Sequence, residues 1–173
     1  ISIYAMDRRW DNLQQAIQTA KAGDPYDPAF YLAEAQMWSA RGDVPKALVA
    51  LEQARQAAPD NPLVLREYLV GLLAAGENQK AFDIAQQRMS DAMAPSLKAV
   101  QARAMAQLGQ GDRADALFVE AIPQAGAQID WVLQQAVAGW AKEIEVGSCA
   151  DLLVSLRSVR CGNHAHLERR VGA

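Results

Sequence analysis

The sequence predicts an all-α protein in which antiparallel helix pairs stack as a solenoid. Three observations carry the prediction. Alanine, glutamine and leucine dominate the 173 residues while β-branched and aromatic side chains are sparse, which favours helix throughout. Three sets of landmarks recur in step: Pro28, Pro62 and Pro95; Gly42, Gly76 and Gly109; Ala47, Ala81 and Ala114. Each set advances by 34 and then by 33 residues, a self-similar period that marks stacked repeats. Within the period a helical apolar spacing appears twice, so each repeat is a pair of helices, A and B.

The elements follow in order. Trp10, Leu13, Ile17, Ala20 and Pro25 fall 34 residues before Val44, Ala47, Leu51, Ala54 and Pro59. Residues 1–27 therefore read as a partial repeat, with 1–6 the second half of a helix A whose first half is missing. The chain thus reads as starting mid-repeat, cut from a longer array. The first full repeat is 28–61. Asp27 caps its helix A, and Pro28 sits at the first helical position, where its missing N–H costs nothing. Phe30, Tyr31, Ala35 and Trp38 make one apolar face, and Gly42 ends the helix in the left-handed conformation. Asp43 caps helix B, whose buried face is Ala47, Ala50, Leu51 and Ala54. Pro59 blocks continuation, and Asn61-Pro62 opens the next repeat.

The second repeat, 62–94, keeps Leu65, Leu72, Gly76 and Ala81. It carries Leu69 and Arg88 where the first has small residues, so looser packing is expected there. The third, 95–127, keeps Ala102, Met105, Gly109, Ala114, Phe118 and Ala121. Beyond it, Asp130 is expected to cap a helix through Trp131, Leu133, Ala136, Val137 and Trp140. Ser148-Cys149-Ala150-Asp151 reads as a capping box for a second helix, 149–160. Residues 128–161 are then a degenerate pair that covers the last apolar face of the solenoid. Residues 162–173 read as a flexible tail.

This pattern resembles the tetratricopeptide repeat (TPR) family of 34-residue helix–turn–helix units. Tyr31, Ala35, Trp38, Gly42, Ala47, Leu51, Ala54 and Pro59 carry the likeness, and "ARAMAQLGQGDRADALFVEAI" repeats it in the third unit. The resemblance implies a right-handed superhelical solenoid whose helix A residues line a concave groove that takes a peptide or helix of a partner protein. By that resemblance the groove residues are Leu32, Gln36, Ser39, Arg66, Val70, Leu73, Arg103 and Gln107. Leu32, Val70 and Leu73 offer apolar anchors, and Arg66 and Arg103 can pair with a carboxylate or a chain terminus. Val70 and Leu73 can equally complete the packing between helices. The family's Lys/Asn clamp for C-terminal peptides has no counterpart here.

Little else points to chemistry. The two histidines, His164 and His166, stand in the tail, so no Ser/His/Asp grouping can be drawn. "LGQGD" is an inter-helix turn rather than a phosphate loop. Cys161, His164 and His166 match no familiar zinc spacing, and a closed site wants four ligands. If 149–160 is helical, Cys149 and Cys161 stand about 18 Å apart along it. A disulfide needs under about 7 Å. Neither catalysis, a cofactor nor a metal is expected.

A net charge of −3 argues against a nucleic-acid partner, and no apolar run reaches the length of a membrane span. The expected function is a non-catalytic protein-binding scaffold. The Ala/Gln/Arg-rich style resembles repeat arrays of bacterial envelope, secretion or polysaccharide-export proteins, which prefers periplasm over cytoplasm without fixing it. The alternative is an accessory or self-assembly domain of a multidomain enzyme such as a glycosyltransferase. Self-association would then use the truncated N-terminal end.

Overall fold

A computed structural model of the chain describes residues 10–89 and 94–144, with backbone only for 141–144. The half-helix at 1–6, the helix at 149–160, both cysteines, both histidines and the tail lie outside the described residues. Those residues form eight α-helices, one 3-10 turn and no strand. The helices are α1 (Trp10–Gly23), α2 (Pro28–Ala40), α3 (Val44–Ala57), α4 (Pro62–Ala74), α5 (Asn78–Gln87), α6 (Ala94–Gln107), α7 (Gly111–Gln124) and α8 (Ile129–Ile144). Two compact units divide between Ile84 and Ala85, inside α5.

The sequence period reappears in the backbone hydrogen bonds. Gly42, Gly76 and Gly109 have φ of 78°, 81° and 79°, the left-handed region open to glycine. At each, the glycine N–H reaches back to Ser39, Leu73 or Ala106. The next N–H reaches the carbonyl of Trp38, Leu72 or Met105 at 2.9 Å. That is the Schellman arrangement, and it satisfies the last carbonyls of helix A before helix B begins. Helix starts are equally local. Asp27 accepts from the Ala29 N–H at 2.8 Å, Asp43 from Lys46 at 3.2 Å, and Asn61 from Leu63 at 2.9 Å.

In the N-terminal unit each helix packs on the next: α1 on α2, α2 on α3, α3 on α4, with α2 also touching α4. That is a stack, and its core runs through it. Leu13 and Ile17 of α1 meet Ala33 and Met37 of α2 beneath Trp10 and Trp38. Ala47, Ala50, Leu51 and Ala54 are the buried residues of α3, as the pattern predicts.

The expected loosening at the second repeat is corrected by Gly71. Leu69 is fully buried, and the small residue lies two positions later. A Cβ on Gly71 would stand 2.4 Å from Leu51 Cδ1, so α3 and α4 meet closely there. Arg88 lies beyond the end of α5, exposed, while Ala81 and Ala85 provide the buried small residues of that helix.

In the C-terminal unit α6 pairs with α7, and α8 packs mainly on α6. Ala99, Ala102, Ala114, Phe118, Ala121, Ile122, Val132 and Ala136 form the core. Phe118 meets Trp140 edge-on at 5.2 Å, and Trp140 Nε1 donates to Asp115 at 2.6 Å. Gly139 lets the Phe118 ring approach to 3.3 Å of where a Cβ would be. One expectation for α8 shifts. The helix begins at Ile129 on a 3-10 turn, so Asp130 stands inside the first turn rather than capping it. Val137, along the same helix, is half exposed.

Candidate partner-binding faces

Packing uses one face of each helix A and leaves others to side chains that the core does not need. In the N-terminal unit Leu32 is half-buried on α2, and Gln36 and Ser39 are exposed. On α4, Arg66 and Val70 are half-buried, and Arg66 Nε stands 3.8 Å from Glu67. Leu73 is only 2% exposed and serves the core instead of the surface. Of the expected apolar anchors, Leu32 and Val70 keep accessible surface.

The C-terminal unit is more polar. Arg103 of α6 donates from Nη1 to Gln135 Oε1 of α8 at 2.7 Å. One end of the same seam is closed by Ser96, whose hydroxyl donates to Gln128 Oε1. Ser96, Gln101 and Gln135 are buried, while Arg103 and Gln107 are half-buried. Burial alone pushes the Arg103 guanidinium below its usual pKa, and it stays charged at any ordinary pH. Its Nε and the Gln107 Oε1 are enclosed without a hydrogen-bond partner.

Ser96, Gln128 and Gln135 were not among the residues expected from sequence. The available signal was the seven-residue step from Gln128 to Gln135, which sets two amides on one face of the α8 approach.

The other polar clusters tie helices together. Lys21 bonds Glu34 at 2.6 Å and lies 4.2 Å over the Tyr31 ring, joining α1 to α2. Arg41 stacks 4.9 Å from Trp38, with Lys46 on the same ring at 4.4 Å. Arg55 bonds Glu52 at 2.6 Å and lies 5.3 Å from Tyr68 across the α3–α4 seam. A shallow open depression on α1 is lined by Asn12, Gln15, Ala16, Thr19 and Ala20, none of them ionisable. Among the described residues no three His, Cys, Asp or Glu side chains gather as a metal site would require, and no helix is long and apolar enough to cross a membrane.

Repeated Schellman turns, paired helices and recurring alanines define the architecture, and the family comparison decides its name. The tetratricopeptide repeat model matches residues 2–140. The chain belongs to the tetratricopeptide repeat family. No curated protein and no solved structure matches it. Membership in this family implies a protein–protein interaction scaffold, and TPR units typically carry no catalysis of their own. Fold alone assigns no partner.

Proposed function

We propose that this TPR chain is a non-catalytic module that holds an extended peptide or a helix of a partner protein against its A helices. The supporting observation is a set of side chains that the core does not fully cover, exposed in part on α2 and half-buried on α4 and α6. Leu32, Gln36, Ser39, Arg66 and Val70 make up that set in one unit, Arg103 and Gln107 in the other. Apolar anchors beside cations suit a peptide better than a small metabolite, which would need an enclosed pocket. Leu73 supports the face from beneath. The Ala/Gln/Arg-rich repeat style favours a larger bacterial envelope, secretion or polysaccharide-export protein as the parent. The sequence flanking the chain tests that point directly.

The binding reading is tested by selecting peptides from a random display library against the immobilised chain and titrating the enriched sequences by calorimetry. One-to-one binding is expected, weakened at least about tenfold by Leu32→Asp or Arg66→Glu. Val119→Asp, at an exposed position on α7, should change nothing. Failure to enrich any sequence, or equal binding by all three variants, overturns the reading.

A further inference from the structure

A cation drawn out of water needs an anion or a full set of acceptors, because its desolvation is otherwise uncompensated. Other cations in this protein meet that need with carboxylates: Lys21 with Glu34, Arg55 with Glu52, Lys98 with Glu120. Arg103 does not. Its described hydrogen-bond partner is the neutral amide of Gln135. Burial lowers its pKa, and no carboxylate among the described side chains contributes to the shift. Its Nε has no acceptor.

Gln107 stands four residues on, one turn along the same face, and its Oε1 has no donor. The seam therefore lacks a negatively charged acceptor at one point and an N–H donor about 6 Å further along. An acidic amino-acid residue supplies both, through its side-chain carboxylate and the peptide N–H groups beside it.

Ser96 is buried on its bond to Gln128 and offers a segment no contact, so the receiving groups are Arg103 and Gln107, one turn apart. A side-chain carboxylate meets the guanidinium while its own chain continues past it, which leaves a neighbouring peptide N–H to reach Gln107. This is the chemistry of a residue within a segment.

We propose that the α6–α8 seam receives an aspartate or glutamate inside an extended partner segment, its carboxylate on the Arg103 guanidinium and a neighbouring backbone N–H on Gln107. Both unpartnered atoms are covered in the free protein, so binding turns the two side chains outward, a rotamer change common at interfaces. This inference rests on the partner-binding reading and names the chemistry that one of its faces selects.

The test uses the isotope-labelled whole chain and follows the Arg103 Nε–H resonance, assigned through Arg103→Lys. Three probes are titrated to millimolar concentration: an acetylated, amidated pentapeptide with a central glutamate; the same peptide with glutamine; and an all-alanine peptide with a free C-terminus. The glutamate peptide should move the Arg103 resonance and bind at least about tenfold more tightly than the glutamine peptide. Arg103→Gln should remove that preference. If that variant does not fold, Arg103→Lys should reduce it, because an ammonium cannot make the bidentate contact. An unmoved Arg103 signal, or equal response to glutamate and glutamine, overturns the proposal. So does a stronger response to the free-terminus peptide, which would assign the seam to a chain end. Should a peptide shift Leu32 and Val70 but leave Arg103 unchanged, partner binding stands and this inference falls. Should the library-selected peptides also shift no groove residue, both fall.

Discussion

At the scale of single residues, Gly71 sets how closely α3 and α4 approach. Alanine there would gain about 1 kcal/mol of helix propensity. Against that, its Cβ would fall 2.4 Å from Leu51 Cδ1. Leu51 is only 6% exposed, so its methyl has little room to retreat. Overpacking costs about 1–3 kcal/mol and outweighs the propensity gain. Gly71→Ala is therefore expected to destabilise by about 1 kcal/mol in urea unfolding. In a Leu51→Val background, which removes the obstructing Cδ1, the same change should be neutral or stabilising. A destabilisation of equal size in both backgrounds would show that the close approach is not the reason for the glycine.

Gly71 also marks where sequence reading stops. Asp27 and Asp43 were legible as caps because a cap bonds a backbone N–H two or three residues away. Gly42, Gly76 and Gly109 were legible because each closes its own helix. The need for a small residue at 71 rather than 69 depends on where Leu51 of another helix falls. The fate of Leu73 depends likewise on its neighbours, and periodicity alone left it open between groove and core. The Arg103–Gln135 bond joins residues 32 apart, so no local pattern announces it.

At the scale of elements, the α3–α4 seam predicts a pH dependence. Tyr68 is buried on α4, and burial first, then its hydrogen bond to Glu52, raises its phenol above the usual 10.0. The Arg55 hydrogen bond holds the Glu52 carboxyl below its usual 4.5. For the phenol, the folded state keeps its proton to higher pH than the unfolded chain does. Its contribution is full below about pH 10 and is lost as pH rises through the folded value. For the carboxyl the sign reverses: the contribution is present above about pH 4.5 and is lost as pH falls through the lowered folded value. Urea unfolding as a function of pH checks both limbs. Tyr68→Phe should lose about 1 kcal/mol at neutral pH from the missing hydrogen bond and flatten the alkaline limb. Glu52→Gln should flatten the acid limb. A Tyr68→Phe protein with an unchanged alkaline slope would contradict the seam as described.

At the scale of the whole molecule, repeat proteins are held by contacts between neighbours, so damage need not spread through the chain. Phe118 is fully buried at the centre of the C-terminal core, against Trp140 and Gly139. Phe118→Ala should cost about 3–5 kcal/mol through the cavity it leaves. In native-state hydrogen exchange the loss of protection should concentrate in α6, α7 and α8, while α2, α3 and α4 retain most of theirs. Uniform loss from α1 to α8 would mean that the chain opens as one cooperative body.

We propose that a partner is held on the A helices and leaves the exposed side chains of the B helices free. Paramagnetic relaxation from a spin-labelled, library-selected peptide tests it most directly, because methyl signals on both kinds of helix can be followed together. Leu32 on α2 and Val70 on α4 should broaden strongly. Val49 on α3 and Val119 on α7, at 61% and 60% exposure, should stay sharp although they are the more accessible methyls. Broadening of Val49 and Val119 with Leu32 and Val70 unaffected would contradict the account.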